Sequence, residues 1–274
     1  MTRNMKREKE HTGREPFYPP FLDERSDARK KFRFVSRTFV PSAFTVMNMV
    51  CGYVALVMAG SGEFATAAWF IVLAAFFDTV DGFVARITNT ASRFGVELDS
   101  LSDLVSFGAA PAYLAYRFGL ENLGVVEGIV LSSLLVVGSG LRLARFNIRV
   151  LGYRKDSFSG LPSPAQALTI AAFVLWTGSI RFLGPYPTEA VLALLTVGLS
   201  ILMVSTVNYD ALPKPTATSF RERPLLTMLF LAGIFCVLVY HAKAFFVAML
   251  LYILLGIFRS LSFLFRQFVL QRES

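Results

Sequence analysis

An all-α, polytopic membrane bundle is the fold class this sequence predicts, and three observations carry it. Of 274 residues, 54% are hydrophobic and only 17% are charged, with a mean hydropathy of +0.55; an ordinary water-soluble domain of this length is less apolar. The apolar residues fall in runs of roughly 20, the length a helix needs to cross a bilayer. Between those runs the basic residues alternate from rich to poor, as the two faces of a membrane require.

Taken in order, residues 1–37 form a polar leader with 11 Lys or Arg against 6 Asp or Glu and no apolar run of the signal-peptide kind. Its end, SDARKKFRFVSRTF (26–39), interleaves basic and aromatic residues, which suits either a helix lying on an anionic leaflet or a solvated charged tail. About eight transmembrane helices follow, near 42–60, 64–86, 97–116, 122–145, 163–180, 186–206, 224–240 and 242–259. One side collects the leader, Arg86, Arg93, Arg149, Arg154, Lys155, Lys214, Arg221, Arg223, Arg266 and Arg272. The other has only Arg117, Arg181 and Lys243, so both termini are expected in the cytoplasm, beneath a bacterial inner membrane. Gly160, Pro162 and Pro164 punctuate one cytoplasmic linker, and Pro213 and Pro215 another.

Cys51 and Cys236 lie far apart in apolar segments, which argues against a disulfide framework or a zinc site. His11 and His241 have no ligand-like neighbours. The triplet His241-Ala242-Lys243 occurs once, without the second copy that covalent histidine chemistry of the His-x-Lys type requires.

The chemistry concentrates in 78–103, DTVDGFVARITNTASRFGVELDSLSD. Asp78 and Asp81 are three residues apart and Asp99 and Asp103 four apart, so on helices each pair projects from one face. Carboxylates at membrane depth are expensive and mark function. Four of them in one cluster need compensating cations, and hard divalent ions prefer such oxygens. Gly82, Ala85 and Gly95 leave room for a phosphate, and Arg86 offers a fork of donors to a pyrophosphate. Metals held by carboxylates, a guanidinium and small residues together describe displacement at phosphorus.

Written out, the stretch is D-x-x-D-G-x-x-A-R, eight residues, then G-x-x-x-D-x-x-x-D. It resembles the signature of the CDP-alcohol phosphatidyltransferase family at every fixed position. The resemblance implies a six-helix catalytic membrane domain, here 38–218; the two further spans and basic tail, 219–274, exceed that core. It further implies two divalent metals, Mg²⁺ or Mn²⁺, held by Asp78, Asp81, Asp99 and Asp103, with Asp103 also the base for the attacking hydroxyl. Gly82, Ala85, Arg86 and Ser92 match positions at the CDP-diacylglycerol. PSAFTVMNMVCG (41–52) is similar to the family's first-helix element, but Ser42 stands where Asn is common, leaving Thr45 and Asn48 as candidate nucleotide contacts or as polar residues packed between helices.

The acceptor is read from other segments. LDSLSDLVSFGAAPA (98–112), GLRLARFN (140–147), FSGLPSPA (158–165) and MVSTVNY (203–209) resemble the integral-membrane phosphatidylserine synthase branch, which implies L-serine as acceptor and a homodimer. Serine's carboxylate needs fixed positive charge, and Arg142 and Arg145 sit at the depth of the aspartates. They are expected to bind that carboxylate, the lipid phosphate or an aspartate, and Ser106 is expected to touch the amino acid. Alternatives are another alcohol (glycerol 3-phosphate, inositol, inositol phosphate or choline) or, in a different class, a cation-coupled transporter. No nucleic-acid partner is expected.

Overall fold

The computed structural model describes residues 27–88, 93–150, 160–178, 188–205, 207, 244–258, 260 and 262, with side chains from 43 to 85 and 94 to 148 in the first two stretches. Among these residues every regular element is helical. Helices α1 (Asp27–Gly60) and α2 (Phe64–Thr88) form an antiparallel hairpin. Its turn is fixed by Gly62, whose φ of +83° suits glycine. Glu63 N–H donates to the Met58 carbonyl at 2.9 Å and Gly62 N–H to that of Ala59 at 3.2 Å, closing the end of α1 in a Schellman arrangement.

The third expected span is a composite. Helix α3 (Arg93–Asp103) passes into a six-residue π-helical segment, Leu104–Ala109, and then α4 (Ala110–Phe118). Pro111 gives a reason for the wide turn: it has no N–H, and its ring would collide with the Phe107 carbonyl four residues back in a regular helix. A short 3₁₀ turn (Leu120–Leu123) leads to α5 (Val125–Val150), then α6 (Ser163–Gly178), α7 (Thr188–Val204) and α8 (Ala244–Phe258). Helices therefore stand at seven of the eight expected places. The eighth place, 224–240, lies outside the described residues.

Helix α6 is the axis of the bundle. It is mostly apolar on every face, and every residue from 165 to 175 except Leu168 is buried, as expected of a helix enclosed by others. Helices α2, α4, α7 and the π segment pack on it, α1 lies against α2, α3 and α4, and α5 pairs with α7. Ala55, Ala59, Ala67, Ala68, Ala74 and Ala75 are buried, small side chains that let α1 and α2 approach closely. Helix α8 joins through aromatic rings: Phe246 meets Phe173 of α6 at 5.5 Å and stacks on Trp176 at 5.0 Å between centroids.

Three helical stretches, Ala43–Gly60, Phe64–Ala85 and Val125–Ile148, are long and apolar enough to cross a membrane. Large apolar side chains, among them Tyr53, Trp69, Phe76, Val126, Ile129, Leu194 and Phe258, are exposed on the outside of the bundle. Such a surface is untenable in water and natural in lipid. The basic stretch 26–39, expected as a separate surface helix or a tail, is helical from Asp27 and continues through Pro41 into the first span without a break.

Candidate active site

The two carboxylate pairs meet because α2 and α3 flank α1 near the ends remote from the Gly62 turn; Asp78 lies about 21 Å along α2 from Phe64, at 1.5 Å per residue. Oxygens of Asp78, Asp99 and Asp103 lie within 4.8 Å of one another, and all three residues are half-buried. Opposite oxygen ligands of Mg²⁺ stand about 4.2 Å apart, so these hard donors fit a divalent cation with little movement. Asp81 stands beside this set and acts electrostatically on Asp78 and Asp99. It is buried, and its carboxylate accepts a short hydrogen bond from the Thr45 hydroxyl.

Helix α1 holds the site in register. Asn48 Nδ2 donates to Asp103 Oδ1 at 3.3 Å. In the opposite sense, Ser102 Oγ donates to the Thr45 carbonyl at 3.0 Å and Ser106 Oγ to the Asn48 carbonyl at 2.9 Å. All four residues are buried. Each carbonyl has a second lone pair beyond its helical bond, so these serines add contacts without breaking α1. Gly52 makes the approach possible: a Cβ there would lie 2.7 Å from Ser106 Cα.

Thr45 and Asn48, expected either at the nucleotide or packed between helices, bond to carboxylates of α2 and α3. Ser106, expected at the acceptor, has its hydroxyl engaged with α1. Arg142 of α5 faces Asp103 electrostatically, and its Nη1 donates to Ser163 Oγ of α6 at 3.2 Å. Arg145 is exposed and donates to the Val204 carbonyl at 3.0 Å. Gly82 and Ala85 are half-buried on the aspartate-bearing end of α2. The Arg86 side chain and Ser92 lie outside the described residues.

Several residues that position the site were not foreseen. Ser102, Ser163 and Gly52 carry no chemistry of their own, and Asn147 escaped notice although its amide bonds to Ser100 at 2.9 Å, tying α5 to α3. A signal existed for Gly52. Thr45, Asn48 and Gly52 follow one another at three- and four-residue steps, the spacing of small and polar residues on a helix-packing face.

A model of the CDP-alcohol phosphatidyltransferase family matches residues 38–202, more than half the chain. The chain belongs to this family. Within it, a CDP-diacylglycerol–serine O-phosphatidyltransferase of Helicobacter pylori is 36% identical over 219 residues, covering 80% of this chain and 90% of the relative. One of the same name from Bacillus subtilis is 33% identical, covering 67% of this chain and 97% of the relative. An archaetidylserine synthase of Methanothermobacter thermautotrophicus is 35% identical, covering 62% and 69%. As a CDP-alcohol phosphatidyltransferase the chain is a membrane enzyme of a metal-dependent family, and Asp78, Asp99 and Asp103 form a cluster able to bind a metal.

Proposed function

We propose that this chain transfers the phosphatidyl group of CDP-diacylglycerol to the hydroxyl of L-serine, giving phosphatidylserine and CMP. The observation that carries the reading is the junction of the Asp78, Asp99 and Asp103 cluster with Arg142, a fixed cation beside the base, in a chain whose relatives are named serine phosphatidyltransferases.

In this reading Asp78, Asp81, Asp99 and Asp103 would hold two divalent ions. Bound there, Mg²⁺ or Mn²⁺ neutralises the pyrophosphate and the departing CMP. Gly82 and Ala85 admit the pyrophosphate, while Arg86 and Ser92 contact the CDP group. Asp103 takes the proton of the serine hydroxyl, whose ordinary pKa lies far above neutrality, as its oxygen attacks phosphorus in line. The new bond joins serine oxygen to phosphorus, and the bond to CMP breaks with its electrons on the CMP phosphate. Asn48 keeps Asp103 turned toward that hydroxyl. Arg142 binds the serine carboxylate and Arg145 stands in reserve on the same helix, while Ser106 serves the site through α1. The distribution of basic residues supports a cytoplasmic site and cytoplasmic termini in the bacterial inner membrane, and the family resemblance supports a homodimer.

The test is purified protein in detergent with CDP-diacylglycerol, Mn²⁺ and labelled serine. Labelled lipid and an equal amount of CMP are expected. CMP release with glycerol 3-phosphate, inositol or choline but not with serine overturns the acceptor; no CMP with any alcohol overturns the transferase reading.

A further inference from the structure

The middle of the bundle holds a side chain that the reaction above leaves unused. Gln166 of α6 is fully buried, and neither its amide nitrogen nor its amide oxygen has a hydrogen-bond partner among the described residues. A buried amide without partners is strongly disfavoured, and in a membrane bundle there is little water to relieve it. Two atoms of α5 share the condition: Ser139 Oγ and Arg142 Nε are buried without partners among the described residues.

The topology brings these atoms to one level. Helix α5 runs toward the aspartates and α6 away from them, and Arg142 and Ser163 meet across the gap. Gln166 lies one turn beyond Ser163, and Ser139 one turn before Arg142, so each sits about 4.5 Å deeper than that contact. From α8, Tyr252 interacts electrostatically with Arg142. Helix register therefore sets donors and acceptors of α5 and α6 close to the level of Arg142, the cation that faces Asp103. A carboxamide both donates and accepts and does not titrate, which suits it to a zwitterion better than to a neutral alcohol.

We propose that Gln166 forms the inner wall of the acceptor subsite and binds the polar head of the amino-acid substrate. Its amide nitrogen donates to the carboxylate held by Arg142, and its amide oxygen accepts from the ammonium group. The assignment rests on the reading of the acceptor as an amino acid. A substrate without that head leaves the amide unpaired, so Gln166 contributes to selectivity as well as affinity.

The test compares the full chain with Gln166→Leu, which keeps the volume and removes the polar atoms, and with Gln166→Met should the leucine variant fold poorly. Serine KM, CDP-diacylglycerol KM, kcat and the thermal midpoint are measured, together with the midpoint shift that L-serine causes in the presence of CMP and Mn²⁺. Expected are a serine KM at least tenfold higher, a CDP-diacylglycerol KM within twofold of wild type, loss of the serine-induced shift, and a thermal midpoint no lower than wild type. A serine KM within twofold of wild type overturns the assignment, as does an equal rise in both KM values with a lower midpoint, which marks a structural residue. A wild-type chain that releases CMP with another alcohol and never with serine overturns the acceptor reading and this assignment together. Serine-active wild type with an indifferent Gln166→Leu overturns this assignment alone.

Discussion

Replacing Gly52 by alanine adds one methyl group where α1 meets the π segment, and the consequence can be followed to the base. The added Cβ would stand 2.7 Å from Ser106 Cα and closer still to Ser106 Oγ. Carbon atoms in contact prefer 3.5 Å or more, so backbone must separate by roughly 0.5 Å even after some compression. The Asn48 to Asp103 bond is already long at 3.3 Å; a further 0.5 Å takes it to about 3.8 Å, beyond hydrogen-bonding range. Overpacking of this kind costs about 1–3 kcal/mol of stability. Freeing a charged acceptor from its donor forfeits about 1.5–3 kcal/mol of orientation, a fall in kcat of about ten- to a hundredfold. The assay is CMP release at saturating CDP-diacylglycerol and serine, beside Gly198→Ala, a helical glycine with open space around its Cβ position, which should match wild type. A Gly52→Ala enzyme with wild-type kcat would refute the coupling of α1 packing to Asp103.

Asp103→Asn should abolish CMP release while CDP-diacylglycerol binding and at least one Mn²⁺ site, read by electron paramagnetic resonance, survive on Asp78, Asp81 and Asp99; normal turnover removes Asp103 from the base role. Arg142→Ala should raise serine KM more than it lowers kcat, because a carboxylate contact is present in the ground state too; a large fall in kcat at unchanged KM moves Arg142 to the phosphate. Gly160→Ala should lower the thermal midpoint in detergent by an amount equivalent to about 2 kcal/mol or more, since φ there is +110° and a Cβ would press to 2.5 Å on the Met203 carbonyl oxygen. An unchanged midpoint would show that the loop relaxes freely.

Much of the bundle was legible because membrane depth imposes length. The start of α2 at Phe64 and of α6 at Ser163 match the expected spans, each preceded by turn residues, the Ser61-Gly62-Glu63 loop and Pro162. The expected 97–116 span was found as a place but not as a shape, since a π turn follows from a clash between Pro111 and its own helix that apolar counting does not register. The basic stretch before 40 was read apart from the first span because polarity changes there, whereas the backbone continues across the change.

At the site, Asp78, Asp99 and Asp103 share one cluster, and Asp81 acts electrostatically on Asp78 and Asp99 while bonding to Thr45. Residues four apart diverge by about 40° around a helix and residues three apart by about 60°. Asp99 and Asp103 consequently stay together, while Asp81 turns from Asp78 toward α1 and meets Thr45. The serines that clasp α1 were illegible for a different reason. Their partners are backbone carbonyls 57 and 58 residues away, and no local pattern encodes a distant carbonyl.

The π segment sets a geometric condition on how this chain can vary. Ala110 N–H bonds to the Val105 carbonyl, five residues back, so the strip from 104 to 109 holds one residue more than a regular turn does. The wide turn absorbs that residue and keeps α3 and α4 in phase; wound as an ordinary α-helix, the same six residues would swing everything upstream by about 100°. Asp99 and Asp103 would then face lipid while α4 stayed in place. Aspartate identity and aspartate direction are thus recorded in different stretches of the chain, and a change that closes the wide turn while keeping its extra residue is as consequential as a substitution of an aspartate.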